Sequence, residues 1–196
     1  MFSNAKDFNG DISKWDVSSV ADTSCMFAHA KSFNGDVSKW DVSSVTDMKK
    51  MFRHTASFEG DVYEWDVSRV TDMNHLFALV KNFNSDLSEW DVSNVQSMCG
   101  MFQGVPLFNS DLSEWDVSAV TNMASMFYGA SAFNRVLSGT KWSNSQANKN
   151  DMFHGSRGSI QQLDTTSTST SEGTGTAAGH LEGGVMVSVR MRTTLR

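Results

Sequence analysis

Carboxylates that recur at a fixed spacing are the first residues in this chain that could do chemistry. Two sets of aspartates each repeat every 25 residues. The first aspartate column is Asp11, Asp36, Asp61, Asp86 and Asp111, and the second is Asp16, Asp41, Asp66, Asp91 and Asp116. Two interpretations stay open. Either each side chain accepts backbone N–H groups of its own turn, or stacked carboxylates and loop carbonyls together bind calcium.

Catalytic interpretations find less support in these residues. A glycosidase needs two carboxylates in different environments, whereas repeated copies give equivalent ones. His29 and His54 occupy the same position in adjacent repeats but lack a third metal ligand, so we expect them at the surface. The sequence has no Ser-His-Asp arrangement, Gly-rich phosphate loop or zinc motif. We therefore predict no enzymatic activity and no cofactor, with calcium as the alternative.

The aspartates belong to a repeat that fills most of the chain. The string that begins Phe33-Asn34-Gly35 returns every 25 residues, with Trp-Asp-Val-Ser and Met-Phe at constant positions. Its copies begin at Phe8, Phe33, Phe58, Phe83 and Phe108, and a weaker copy begins at Phe133. A fixed period of this length without insertions is typical of a solenoid, in which each repeat is one stacked coil.

The hydrophobic pattern changes once within each repeat. Alternation over residues 37–42 predicts a short strand, and the spacing of Val45, Met48 and Phe52 predicts a short helix. The sequence thus predicts an α/β repeat solenoid, with a parallel sheet of very short strands on one side and short helices on the other. The tryptophans and phenylalanines at equivalent positions, Trp15 included, should form buried stacks.

Domain boundaries follow from where the repeat degenerates. We expect a solenoid over residues 1–163, with a capping coil at 133–163 in which Trp142 comes two residues late. Residues 164–180 are rich in Ser, Thr and Gly and predict a disordered linker. Residues 181–196 alternate like a strand and would be the stub of a missing domain or an artefact of the chain end.

Charge and composition narrow the partners. The net charge is −6, without basic clusters, which argues against nucleic acid. No run is apolar enough to span a membrane, and the first residues are not a signal peptide. Cys25 and Cys99 lie three repeats apart, about 14 Å, so we predict two free thiols. Met1-Phe2 is in phase with later Met-Phe pairs, so we expect a fragment of a longer array.

The positions that vary between copies are the candidate protein-binding residues. One outward position changes from Lys to Glu along the array, and a second position varies on the predicted helix side. The candidates are Lys14, Lys39, Glu64, Glu89, Glu114, Arg53, Gln103 and Tyr128. A fixed frame with variable outward residues is what a binding surface requires, although neutral drift on a solvated face gives the same pattern.

The unit Phe-Asn-x-Asp-x-Ser-x-Trp-Asp-Val-Ser-x-Val-Thr-x-Met-x-x-Met-Phe resembles the BspA-type leucine-rich-repeat family, also called the DUF285 or mycoplasma surface-protein repeat. The resemblance covers residues 1 to about 137, and more loosely to 155. It implies a right-handed solenoid like a leucine-rich repeat, with no catalytic residues or cofactor. It also implies a surface or secreted protein that acts in adhesion or protein–protein interaction. A structural spacer stiffened by calcium on the first aspartate column is the alternative function.

Overall fold

The structure is a computed structural model that describes residues 1–162. One compact unit spans Met1–Leu163. The predicted linker at 164–180 and the predicted tail at 181–196 lie outside the described residues. Within residues 1–162 the named elements are β1 (Val136–Leu137), α1 (Thr140–Ser143) and β2 (Ser159–Ile160), where β1 and β2 pair in parallel. The rest of the unit consists of turns joined by backbone hydrogen bonds.

Each repeat is hydrogen-bonded to the next through alternate backbone amides. The N–H groups of Cys25, Phe27 and His29 donate to carbonyl oxygens 24 residues later, at 2.8–2.9 Å. The amides between them close β-turns, as the Met26 N–H does on the Thr23 carbonyl at 3.0 Å. Single parallel bridges join equivalent residues along the array: Asp22, Asp47, Asp72, Ser97, Asn122 and Asn148. The backbone N–H groups of residues 25–29 are thus all satisfied, either within a turn or by the neighbouring repeat.

Local structure differs from the predicted strand and helix in each repeat. No strand forms over residues 37–42, where residues 38 and 39 form a turn, because Asp36 and Asp41 accept N–H groups two residues later and such side-chain bonds compete with a strand ladder. The expected helix near residues 45–52 is replaced by turns because Lys50 has a φ of 59°. A left-handed residue interrupts a right-handed helix. The bridges therefore run through Asp47 rather than through the predicted strand.

The core is built from stacked aromatic columns, as the sequence indicated for most of their members. The rings of Phe27 and Phe33, six residues apart in the chain, lie parallel with centroids 4.1 Å apart, and Phe27 stacks on Phe52, its equivalent in the next repeat, at 5.6 Å. Trp40 is buried, whereas Trp15 in the first repeat is 40% exposed. The expected burial of Trp15 was therefore wrong, because the face that later tryptophans bury remains open there.

The last repeat keeps the tryptophan in place despite its two extra residues. Trp142 is fully buried, and its indole Nε1 donates to the Leu112 carbonyl at 2.9 Å, as the earlier tryptophans do to theirs. The turn before α1 contains Gly139 with a φ of 91°, a conformation that glycine adopts without strain. The two extra residues are thus accommodated around α1, and β1 can still pair with β2.

Two further predictions concern the described residues directly. Cys25 and Cys99 are both free thiols, as predicted, and partial burial raises the pKa of Cys99. In the part of the chain that the structure describes, no helix has the length and apolar character needed to cross a lipid bilayer. Whether the repeats form a right-handed, leucine-rich-repeat-like solenoid stays a prediction.

Candidate binding surface

The first aspartate column caps one turn in every repeat. In each case Oδ1 accepts the backbone N–H of the residue two positions later, at 2.9–3.0 Å. The capped residues are Ser13, Ser38, Tyr63, Ser88 and Ser113. The second column does the same at 3.0–3.1 Å. The observed bonds are those of the turn-capping interpretation.

Serine hydroxyls link some of these carboxylates to the neighbouring repeat. The Ser110 hydroxyl donates to Oδ1 of Asp86 at 2.9 Å, and its oxygen accepts the Leu87 N–H at 3.0 Å. Hydrogen bonds from the Ser88 N–H and from Ser110 hold the pKa of Asp86 below its usual value. The carboxylate is therefore charged at neutral pH and fixed in position by two repeats.

Three adjoining depressions along the first aspartate column form a shallow groove, which we call the acidic groove. They share Asp61 and Tyr63 at one junction and Asn84, Ser85 and Asp86 at the next. The charged residues that line the acidic groove are Asp36, Lys39, Glu59, Asp61, Glu64, Asp86, Asp111 and Arg135. Six carboxylates and two cations give it a net negative charge, so it favours cationic groups and hydrogen-bond donors.

Asparagines border the acidic groove, and their role was not anticipated from the sequence. The amide oxygen of Asn84 accepts the backbone N–H of Asn109 at 3.0 Å, and Asn109 does the same for Asn134 at 3.2 Å. Asn9 and Asn34 repeat this bond in the first repeats. The Phe-Asn pair that opens most repeats was the available signal. These amides tie adjacent repeats together and present polar edges to the groove.

Tyr63 is a second residue that the sequence reasoning missed. It is 43% exposed and lines the groove where the other full repeats carry serine, so its departure from the repeat was the signal. A tyrosine ring offers a flat apolar surface with a polar tip. It is the large aromatic side chain among the residues that line the acidic groove.

The outward column that changes from Lys to Glu lies partly along this groove. All five members, Lys14, Lys39, Glu64, Glu89 and Glu114, are exposed. Lys39 and Glu64 line the groove and form an ion pair at 2.7 Å, with their side chains 73% and 65% exposed. An exposed pair of this kind contributes little to stability. It adds one positive and one negative charge to the exposed lining of the groove.

The other three predicted binding residues are elsewhere. Arg53 contacts His29 of the preceding repeat, and the Tyr128 ring stacks on His154 with centroids 4.8 Å apart. None of Arg53, Gln103 and Tyr128 lines the acidic groove. Ala28 and Ala78 of the same column are buried, so this column is only partly outward-facing.

In the predicted calcium site, each repeat would contribute one carboxylate ligand from the first aspartate column. Among residues 1–162 no three His, Cys, Asp or Glu side chains converge as a metal-binding group. In each first-column aspartate Oδ1 is already bonded to a backbone N–H. Calcium binding at these positions stays a prediction.

Comparison with known proteins agrees with the family resemblance. The model of the family described as "Mycoplasma protein of unknown function, DUF285" matches residues 1–75 and 57–166. The two matches together span most of the chain and overlap within the repeats. Neither the search of curated proteins nor the search of solved structures gave a match.

Proposed function

The chain belongs to the DUF285 family, and from that premise we propose that it is a non-enzymatic scaffold for protein–protein interaction or adhesion. In this proposal the repeats form a right-handed, leucine-rich-repeat-like solenoid. The acidic groove and the outward column beside it, from Lys14 to Glu114, form the surface that a protein partner contacts. The hydrogen bonds between residues 24 and 25 positions apart support this architecture.

The observation that carries the proposal is the contrast between fixed core and variable surface along one column. Trp65, Trp90 and Trp115 occupy equivalent buried positions, while the residues just before them are exposed acids. In the first two repeats the residue directly before the tryptophan is lysine instead: Lys14 before Trp15 and Lys39 before Trp40. One end of the surface thus differs in charge from the other, which can fix the orientation of a partner.

The absence of enzymatic activity is part of the same proposal. The acids of each aspartate column are tied into the same kind of turn in every repeat. General acid–base catalysis needs groups with separated pKa values, and equivalent environments do not provide them. A calcium-stiffened spacer remains the alternative function, because the carboxylate columns are the ligand type that calcium prefers.

A matched pair of charge variants tests the proposal. Glu89→Lys with Glu114→Lys reverses two exposed acids of the outward column. The control, Asp7→Lys with Asp151→Lys, makes the same change in charge at two exposed acids outside the groove. Purified wild-type protein and both variants would be immobilised, and the dissociation constant of each protein that wild type retains would be measured.

We expect at least one saturable partner whose affinity falls severalfold for the outward-column variant and stays unchanged for the control. Loss of two charge pairs at the edge of an interface is enough for such a change. Equal binding to all three proteins would place the interface elsewhere. A protein that retains no saturable partner would favour the spacer.

A further inference from the structure

Cations in the described residues gather on a second surface, away from the acidic groove. We call it the histidine patch. Its members are His29, Lys31, Lys49, Lys50, Arg53, His54, His75 and Lys81. The sequence alone indicated no basic cluster, because these residues are scattered over 53 positions of the chain. The stacking of the repeats brings them together.

Contacts between two adjacent repeats define the centre of the patch. The rings of His29 and His54 lie 5.0 Å apart at equivalent positions in adjacent repeats. Arg53 Nη1 lies 2.9 Å from His29 Nε2. A guanidinium only donates, so Nε2 must be the acceptor and His29 must be neutral in this arrangement. Protonation of His29 would break this bond and leave Arg53 free to bind an anionic partner.

Among the described residues, no member of the patch forms an ion pair. In residues 1–162 the two ion pairs are Lys39–Glu64 and Lys141–Asp116, and neither involves a patch residue. Two carboxylates adjoin the patch: Asp72, which counteracts the lowering of the His75 pKa and caps the N–H of Asn74, and Asp47, which caps the N–H of Lys49. The cations of the patch are therefore available to a partner.

Burial and neighbouring cations keep the patch histidines neutral near pH 7. For His29 and His54, burial lowers the pKa most, and the charges of Arg53 and Lys31 lower it further. Lys81 adds to this effect on His54. Burial also lowers the pKa of His75, with contributions from Arg53, Lys50 and Lys49. A bound anion would offset this repulsion, so binding an anion and protonating the histidines favour each other.

We propose that the histidine patch is a docking surface for a short acidic segment of a partner protein, and that binding strengthens as the pH falls from 7.5 to 5.5. This goes beyond the proposed function, because the surface and the charge it recognises differ from those of the acidic groove. A short segment fits better than a long polyanion. The chain carries a net charge of −6, so a long polyanion that extends beyond the patch meets repulsion.

Fluorescence anisotropy with a labelled hexa-aspartate peptide tests the proposal. Aspartate side chains, with a pKa near 3.9, stay ionised at both pH values, so the change in charge comes from the protein. Wild type should bind the peptide at least about fivefold more tightly at pH 5.5 than at 7.5 at constant ionic strength, since each histidine that is protonated on binding adds to the pH dependence.

Two sets of variants separate the roles of the patch residues. His29→Asn, His54→Asn and His75→Asn together should abolish the pH dependence and leave binding at pH 7.5 within about twofold of wild type. Asparagine tolerates the positive φ of 61°, 60° and 54° at these positions. Arg53→Gln should weaken binding at both pH values, whereas the control Arg69→Gln removes an exposed cation outside the patch and outside the acidic groove and should change nothing.

Several results would overturn the proposal. These are no peptide binding by wild type at either pH, pH dependence that persists in the histidine variant, or equal loss in the Arg69→Gln control. Six-residue oligothymidine and a sulfated hexasaccharide serve as competing probes. If either binds the patch more tightly than hexa-aspartate, the assignment to an acidic protein segment is wrong. Tryptophan fluorescence confirms that each variant is folded before binding is measured.

Discussion

The indole Nε1 of Trp65 donates a 3.0 Å hydrogen bond to the carbonyl oxygen of Val37, 28 residues earlier in the chain. The same bond joins Trp40 to Ile12 and Trp90 to Val62. Each tryptophan thus fills the core of its own repeat and satisfies a buried carbonyl of the preceding one. This relationship connects the repeated sequence to the stacking on which both proposed binding surfaces depend.

Replacement of Trp65 should therefore be costly in two separable ways. Trp65→Ala removes a buried ring and should lower the free energy of unfolding by roughly 3–5 kcal/mol. Trp65→Phe retains much of the apolar contact but leaves the Val37 carbonyl with only the hydrogen bond from the Trp40 N–H, which should cost roughly 0.5–1.5 kcal/mol. Urea denaturation measures both. Tyr63→Ala, at an exposed neighbouring position, should stay within about 1 kcal/mol of wild type.

Gly100 should tolerate no side chain while His75 is present. Its φ is +60°, and a Cβ there would lie 2.3 Å from Nδ1 of His75. We expect Gly100→Ala to destabilise the protein by about 1–3 kcal/mol. Ser125→Ala is the matched control, because Ser125 has the same backbone conformation one repeat later and already carries a Cβ.

A double-mutant cycle identifies the cause of the Gly100 effect. His75→Ala removes the ring that the new methyl group would meet, so Gly100→Ala should cost less in that background. The destabilisation that remains in the His75→Ala background would come from the positive φ of residue 100 alone. If the two substitutions are simply additive in urea denaturation, contact with His75 does not explain why glycine is needed.

The capping aspartates should make the protein sensitive to strong acid. Lys141 and then Ser118 lower the pKa of Asp116 to about 2, and hydrogen bonds from Ser43 lower that of Asp41. A carboxyl group whose pKa is lower in the folded state than in the unfolded state stabilises the folded state. This stabilisation is fully present at pH values above the unfolded-state pKa of about 3.9. That contribution is lost as the pH falls towards 2.

Acid titration followed by tryptophan fluorescence checks this expectation. Wild type should unfold, or lose urea resistance, between about pH 4 and pH 2. Asp116→Asn should reduce the dependence of stability on pH in that window, whereas Asp7→Asn, at a residue that caps no turn in the described structure, should not. A stability that is constant from pH 5 to pH 2 would contradict the capping role.

Calcium distinguishes the scaffold from the spacer. If turn capping is the whole role of the first aspartate column, thermal unfolding should occur at the same temperature with calcium and with a chelator at fixed ionic strength. A rise of several degrees with calcium would mean that the ion binds the folded state preferentially. Substituting Asp61 and Asp86 by Asn should then remove the rise, and the spacer would become the better account.

Some of this structure could be predicted from the sequence, and the reasons are local. The 25-residue period fixes which residues are equivalent, so the phenylalanine core followed from residue types, and turn capping by Asp36 was one of the two interpretations that the sequence left open. The predicted strand and helix were not found, because the hydrophobic pattern of residues 37–42 also arises when successive turns bury Val37, Trp40 and Val42. Lysine is not a residue type that indicates a left-handed conformation, so the positive φ of Lys50 could not be predicted from its residue type.

The binding surfaces were harder to predict than the core. The Lys39–Glu64 pair joins equivalent positions, so it could be anticipated once the period was known. The contact between Arg53 and His29 joins non-equivalent positions, 24 residues apart. Its prediction requires knowledge of which positions adjoin between repeats, and that depends on the twist and offset of the stacking.

Deletion of one whole repeat tests most directly the claim that each 25-residue repeat is a unit stacked on its neighbours. Removal of residues 58–82 places Phe83 where Phe58 was and preserves the order of every equivalent position. We predict one cooperative urea transition with native-like tryptophan emission and an m-value lowered by about 15%, in proportion to the surface buried. Removal of residues 58–70, half a repeat, should abolish cooperative unfolding. If both deletions behave alike, whether both fold or both fail, stacked 25-residue units do not describe this protein.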